Sequence, residues 1–404
     1  MAVGNIEFPK MQAVAGIKLG TACAGIKQTE RDDLLLVEMT AGSTCAAVFT
    51  QNAFCAAPVH VAKKHLSTSP RYLLINSGNA NAGTGEQGMQ DAMASCTAVA
   101  ELTSANTEQV LPFSTGVIGE PLDVSKIVKA LPATQANLIE DNWAEAAHAI
   151  MTTDTFAKGY SKVITINGET ITITGMSKGA GMIQPNMATM LGFIGTDAKI
   201  SQALLQSCLA ESVEQSFNRI TVDGDTSTND ACVLMASGQS TVAEIIAGTK
   251  EAEIFQLAIQ EACLALAEAI IRDGEGATKL IKIKVQQAVN EAEAVQVAKT
   301  IAHSPLVKTA FFASDPNWGR ILAAVGRSGV AQLDVEQISI YLDEVCIVEK
   351  GGRASSYTEE AGQAVMNQQE INVTVVLGRG QVEQQVLTCD FSYDYVRINA
   401  EYRT

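Results

Sequence analysis

The chain has 404 residues, 47% of them hydrophobic and 18% charged, which suits a globular protein and excludes a mostly disordered one. Acidic residues outnumber basic ones 44 to 28, and the net charge of -16 repels phosphate backbones, which argues against nucleic-acid binding. At roughly 150 residues per domain, this length predicts two or three domains and a core that needs no staples.

From the N-terminus, MAVGNIEFPKMQAVAGIKLG lacks a basic region followed by an apolar stretch, and it has no arginine. Neither a secretory signal nor a transit peptide is expected. Tyr72–Asn76 (YLLIN) predicts a buried strand and Gln90–Leu102 a helix, with another strand near Gln109–Phe113. Val163–Ile166 and Thr170–Thr174 alternate around Asn167-Gly168, a strong hairpin signal. Ser177–Leu191 has no period of its own and reads as a structured irregular segment. Ser201 caps a helix predicted to reach Asn218, and Thr249 caps one reaching Arg272, closed by Gly274. The last third predicts strands at Ile281–Val285, Ile338–Leu342, Ile371–Val376 and Val382–Leu387. The mixture argues for an α/β fold, without marking a domain boundary. The apolar stretch Ala262–Ile271 contains Glu268 and is too short to span a bilayer. Nine cysteines without a CxxC pair suit a reducing cytosol, so a cytoplasmic protein with no membrane contact is expected.

Two formal motifs fail on context. Gly83–Gly88 fits GxGxxG, but six residues separate it from the strand, and no acid ends the following one. Gly175–Gly179 fits GxSxG around Ser177, yet only His303 lies downstream, and Pro185 interrupts the helix a nucleophile elbow requires. Metal ligation is not expected: the histidines at 60, 65, 148 and 303 form no HExxH pair. The loop from Asp223 has Thr228 and Leu234 where a calcium loop needs glycine and glutamate.

So few histidines favour chemistry that takes its base elsewhere. A free α-amine titrates near 7.7–8.0, and a threonine beside its own amine is a known nucleophile arrangement. Thr189 becomes such a residue if its hydroxyl attacks the carbonyl of Ala188 and water hydrolyses the resulting ester. Residue types alone leave a buried loop threonine as the alternative.

Ser177–Leu191 (SKGAGMIQPNMATML) resembles the signature of the ornithine acetyltransferase, or glutamate N-acetyltransferase, family. Asn76–Ala82 (NSGNANA), Phe113–Gly119 (FSTGVIG), Met151–Lys158 (MTTDTFAK), Asn218–Asp230 (NRITVDGDTSTND), Arg272–Lys279 (RDGEGATK), Asp315–Arg320 (DPNWGR) and Asn399–Thr404 (NAEYRT) are similar to family blocks, in family order. The resemblance implies a two-domain α/β sandwich that cuts itself between Ala188 and Thr189. It implies an α chain of residues 1–188 and a β chain of residues 189–404, which stay together, as a rule in an α2β2 assembly. Thr189 is then the nucleophile, and Thr115 and Gly116 form the oxyanion hole. Thr152, Lys178, Thr189, Glu275, Asn399 and Thr404 contact substrate. The implied reaction moves acetyl from N-acetylornithine to glutamate by a ping-pong route in arginine biosynthesis. It needs no cofactor, and acetyl-CoA is an alternative donor in some members.

Unaided, Lys178 and Glu275 read as solvated surface charges, and Asp223, Asn229 and Asp230 as structural. Three other readings compete: an N-terminal-nucleophile peptidase, a serine hydrolase using Ser177, and an uncleaved amino-acid-binding protein.

Overall fold

The computed structural model describes residues 3–4, 6–26, 30–184 and 190–401. Ala188, Thr189 and Thr404, three of the expected site residues, lie outside the described residues.

Among the described residues, three sheets organise the chain. The first runs β1 (Ile17–Ala22), β2 (Leu34–Met39), β4 (Tyr72–Asn79), β5 (Val110–Val117), with β4 and β5 parallel. The second runs β3 (Thr44–Phe49), β10 (Ala231–Ala236), β8 (Leu191–Thr196), β7 (Glu169–Lys178), β6 (Lys158–Ile166). The third runs β14 (Gly352–Arg353), β13 (Val345–Glu349), β12 (Ser339–Leu342), β15 (Glu370–Val376), β11 (Leu280–Ala288), β16 (Val382–Cys389), β9 (Ile220–Thr221).

Side chains alternate across a strand, and that alternation builds the layers. Leu35 and Val37 of β2 face the second sheet in one apolar cluster, while Leu34 and Leu36 face outward in another. The outward cluster is covered by α1 (Ala57–His65), α2 (Gly85–Thr103) and α3 (Val124–Ala136). Trp143 of α4 (Trp143–Ala149) is buried between the two sheets. The far face of the second sheet carries Ile171, Ile173, Ile194 and Leu234, and packs on α5 (Gln202–Glu214) and α6 (Lys250–Arg272). The result is a four-layer helix–sheet–sheet–helix sandwich, the expected α/β architecture. The third sheet packs its own core against α7 (Glu291–Ala302), α8 (Pro305–Phe312), α9 (Trp318–Gly326) and α10 (Glu359–Met366). A last helix, α11 (Tyr393–Ala400), follows β16.

Helix α6 is long and apolar enough to cross a membrane. Here it is a core helix: Phe255, Ile259, Leu266 and Ile270 are fully buried against the sandwich. Each such side chain contributes about 1.5–3 kcal/mol.

Local signals held where they were local. Asn167 and Gly168 both have positive φ, as the tight turn between β6 and β7 requires. The side chain of Ser201 accepts from Leu204 N at 3.4 Å, and that of Thr249 from Ala252 N at 3.3 Å. Two boundaries differ. Helix α5 ends at Glu214 rather than Asn218, because Phe217–Arg219 tightens into a 3-10 turn that leads into β9. Helix α2 starts at Gly85 rather than Gln90. A Cβ at Gly88 would lie 1.9 Å from Thr84 Oγ1, so glycine is required by the close packing of this first turn.

The second sheet joins both sides of residues 185–189. Strands β3, β6 and β7 precede that segment, and β8 and β10 follow it. Strand β7 pairs with β8 from Lys178↔Leu191 to Ile173↔Thr196.

Candidate active site

One pocket forms where β5 and β7 end and β8 begins. Its wall includes Thr115, Gly116, Thr152, Lys178, Glu275 and Asn399, six residues singled out by their similarity to family blocks. Met190, which follows Thr189 in the chain, also lines it.

Thr115 and Gly116 lie near the end of β5. Gly116 has φ +135°, and a Cβ there would sit 2.2 Å from the carbonyl carbon of Gly78 on β4. Only glycine allows that approach. Lys178 ends β7 and donates from Nζ to Thr115 Oγ1 at 3.2 Å, which leaves the Thr115 hydroxyl hydrogen free to donate elsewhere. A hydroxyl and a backbone N–H at one spot make a binding place for a developing oxyanion.

Lys178 is buried, not solvated. Burial pulls its ammonium below the ordinary lysine value, while Asp154 opposes the shift. Asp154 anchors the Met151–Lys158 block. It accepts from Thr152 N at 2.8 Å, Gly179 N at 2.7 Å and Lys158 Nζ at 2.6 Å. Burial would raise its carboxyl, but Lys158 and Lys178 outweigh burial and hold it below the usual carboxylate range. Lys158 also pairs with Asp273 at 2.6 Å, and Asp273 accepts from Thr155 N at 2.9 Å and from the Thr155 hydroxyl. A fully buried Asp154–Lys158–Asp273 chain therefore ties the Thr152 turn to the end of α6.

Glu275 follows that end. Its backbone N–H donates to the Ala180 carbonyl at 2.9 Å, its carboxylate accepts from Asn399 Nδ2 at 2.9 Å, and Thr153 lines the same pocket beside it. Burial raises its carboxyl above the usual range. Gly181 makes room for it, since a Cβ there would lie 2.3 Å from Glu275 Oε2. The pocket thus holds a buried ammonium and a buried carboxyl, the two groups that complement a zwitterionic amino acid.

The turn Thr221–Asp230 grips the chain on both sides of residues 185–189. Asp223 accepts from Met182 N at 2.7 Å and Ile183 N at 2.9 Å, and Thr226 Oγ1 donates to the Gln184 carbonyl at 3.2 Å. Downstream, Ala231 N donates to the Met190 carbonyl at 3.0 Å. Met182 itself sits at φ +56°, a strained value for a non-glycine residue.

Three sequence readings need correction. Lys178 and Glu275 are pocket residues rather than surface charges, because the end of β7 and the Glu275 loop are covered by elements distant in sequence. Asp230 lines the pocket although it read as structural, while Asn229 lines it too but donates to the Ala80 and Ser114 carbonyls, as a structural reading expects. The reading of Asp223 as structural fits its backbone contacts. Thr153 was missed, and its position inside MTTDTFAK was the available signal. Ser177 is 1% exposed, contacts the Leu266 carbonyl and does not line the pocket. As Lys178's neighbour on a strand, it points to the opposite face, which removes the basis for a serine hydrolase. Among the described residues no group of three or more His, Cys, Asp or Glu side chains is placed to hold a metal ion.

The ArgJ family's model matches residues 18–404. The arginine biosynthesis bifunctional protein ArgJ of Methylococcus capsulatus (Bath) is 60% identical over 400 residues, spanning 99% of this chain and 98% of that protein. The protein of the same name from Pseudomonas fluorescens (Pf0-1) is 55% identical over 407 residues, spanning all of both. A solved chain, the arginine biosynthesis bifunctional protein ArgJ of Bacillus halodurans, is 43% identical with a TM-score of 0.51. It matches over 100% of its own length and covers 53% of this chain.

Proposed function

The chain belongs to the ArgJ family, and we propose that the pocket beside Met190 is where its acetyl group changes hands, with Thr189 as the carrier. The protein is an acyltransferase of arginine biosynthesis. It moves acetyl from N-acetylornithine to glutamate.

The single observation that carries the residue assignment is the convergence of Thr115, Gly116, Thr152, Lys178, Glu275 and Asn399 on the chain flanking Thr189. Cleavage comes first: the Thr189 hydroxyl attacks the Ala188 carbonyl, the peptide nitrogen leaves as the new amine, and water hydrolyses the ester. The shared second sheet supports this reading, since β7–β8 and β3–β10 pairing would hold residues 1–188 and 189–404 together after a cut. The half-length Bacillus halodurans chain supports two pieces. The mature amine then takes the hydroxyl proton as Thr189 attacks N-acetylornithine. Thr115 and Gly116 hold the oxyanion, ornithine leaves with the proton, and glutamate repeats the sequence in reverse. No cofactor enters, because acetyl stays in covalent storage. Acetyl-CoA as a second donor is consistent with the word bifunctional in the relatives' names. Pairing of two such units into α2β2, and a cytoplasmic setting that suits nine cysteines without a CxxC pair, complete the reading.

Initial rates with both substrates varied test the reaction. Parallel double-reciprocal lines with N-acetylglutamate as product are expected; intersecting lines, or acetate as the product, would overturn it.

Two variants test the pocket. Thr115→Val removes a hydroxyl at nearly constant shape and is expected to lower kcat about 10²–10³-fold with KM nearly unchanged. Gly181→Ala must displace the Glu275 carboxyl, so ornithine affinity, read by calorimetry, is expected to fall about 10- to 100-fold, the range for a charged hydrogen bond. Unchanged ornithine binding would separate Glu275 from the substrate ammonium.

A further inference from the structure

The scheme uses Lys178 and Glu275 but leaves one pocket carboxyl without a role. Asp230 closes the turn ahead of β10 and is 3% exposed. Its carbonyl accepts from Thr50 N at 2.9 Å, which fixes its backbone. Strands β10 and β8 run parallel with Ala231 opposite Leu191, so Asp230 stands one strand spacing, about 4.8 Å, from Met190.

Ser227 lies beside this carboxyl, but the Asp230 Oδ2 is buried and has no hydrogen-bond partner among the described residues. A buried carboxyl oxygen of this kind is costly unless a ligand supplies the donor. Lys178 faces it from β7, Cys55 ahead of α1 senses its charge, and Glu275 lines the same pocket. Burial holds Asp230 well above the usual carboxylate range, and Ser227 and Lys178 only partly offset that. A cation arriving at Oδ2 would favour the ionised form.

We propose that Asp230 is the carboxylate that receives an ammonium in this pocket, separately from Glu275. The assignment rests in part on the Thr189 reading, because the ammonium has two sources. One is the amine freed at residue 189, the covalent neighbour of Met190. In that case Asp230 is a positioning residue: the amine takes the Thr189 hydroxyl proton, donates as an ammonium to Oδ2, and gives the proton to the departing amine of ornithine. The other source is the α-amine of the bound amino acid, and Asp230 is then a binding residue.

The test compares Asp230→Asn and Asp230→Glu with the parent, after intact mass has established the cleavage state of each. For the first source, kcat of Asp230→Asn falls about 10- to 100-fold and KM holds. The acidic limb of kcat/KM then moves to lower pH, since a carboxylate beside an amine raises the amine's pKa and its removal lowers it. Asp230→Glu returns the limb toward the parent. For the second source, KM for one amino acid rises by a similar factor and the limb stays in place. If kcat, KM and the limb all remain within about twofold of the parent, the proposal is overturned. Should Asp230→Asn fail to fold, the same three readings on Asp230→Ser decide it. Active parent protein that is uncut removes the Thr189 reading and the first source together, and KM alone then decides the second.

Discussion

Thr189→Ala is expected to remain a single 42.6 kDa chain and to lose acetyl transfer entirely. Two steps need the same hydroxyl, one to open the Ala188–Thr189 bond and one to store acetyl. Alanine supplies neither the hydroxyl nor, without cleavage, the amine. Removing the nucleophile from an acyl-transfer enzyme costs on the order of 10⁶ in kcat. Thr189→Ser is the informative companion, because it keeps a hydroxyl and should still cleave. Denaturing electrophoresis and the transfer assay read both variants. A cleaved or active Thr189→Ala protein would transfer the role to another residue.

Lys158→Met is expected to cost about 3–5 kcal/mol of stability, the range for breaking a buried ion pair by deleting one partner. Lys158 Nζ lies 2.6 Å from both Asp154 Oδ1 and Asp273 Oδ2, and all three side chains are excluded from solvent. Methionine fills similar space but leaves Asp273 without its ammonium and Asp154 with only Lys178. The Thr152 turn and the Glu275 loop hang from those two carboxylates, so kcat should fall as well. Guanidinium unfolding followed by fluorescence measures the stability change, and a loss under about 1 kcal/mol would contradict the argument. The pH dependence has a fixed sign. Asp154 is held below its unfolded value, so its contribution is fully present above roughly pH 4 and is lost as pH falls through that value toward its folded pKa. Lys158→Met should flatten that acid loss.

The features legible in the sequence were those set by nearest neighbours. Asn167-Gly168 announced its hairpin because two positive φ values suit few other pairs, and Ser201 and Thr249 announced their helices through capping chemistry. The α/β class followed from alternating periods. Burial of Lys178 and Glu275 did not, because it depends on β5, α11 and the Asp273–Lys279 loop meeting across long stretches of chain. Asp230 was read as structural for a related reason: an acidic turn gives no sign of the pocket behind it until β10 is seen to run beside β8. The interleaving of strands from both sides of residues 185–189 in one sheet was equally invisible, since no local pattern encodes a partner more than a hundred residues away. Family resemblance named the pocket residues, and the geometry supplied the reasons they belong together.

The central claim is that Thr189 carries the acetyl group, and one measurement addresses it directly. The purified protein is mixed with N-acetylornithine without glutamate, quenched in acid and examined by intact and peptide mass spectrometry. Two fragments are expected, with one acetyl group on the residue 189–404 fragment, located at Thr189 and lost when glutamate is added before the quench. An active protein that stays one chain, or an acetyl group that sits on another residue, would contradict the account.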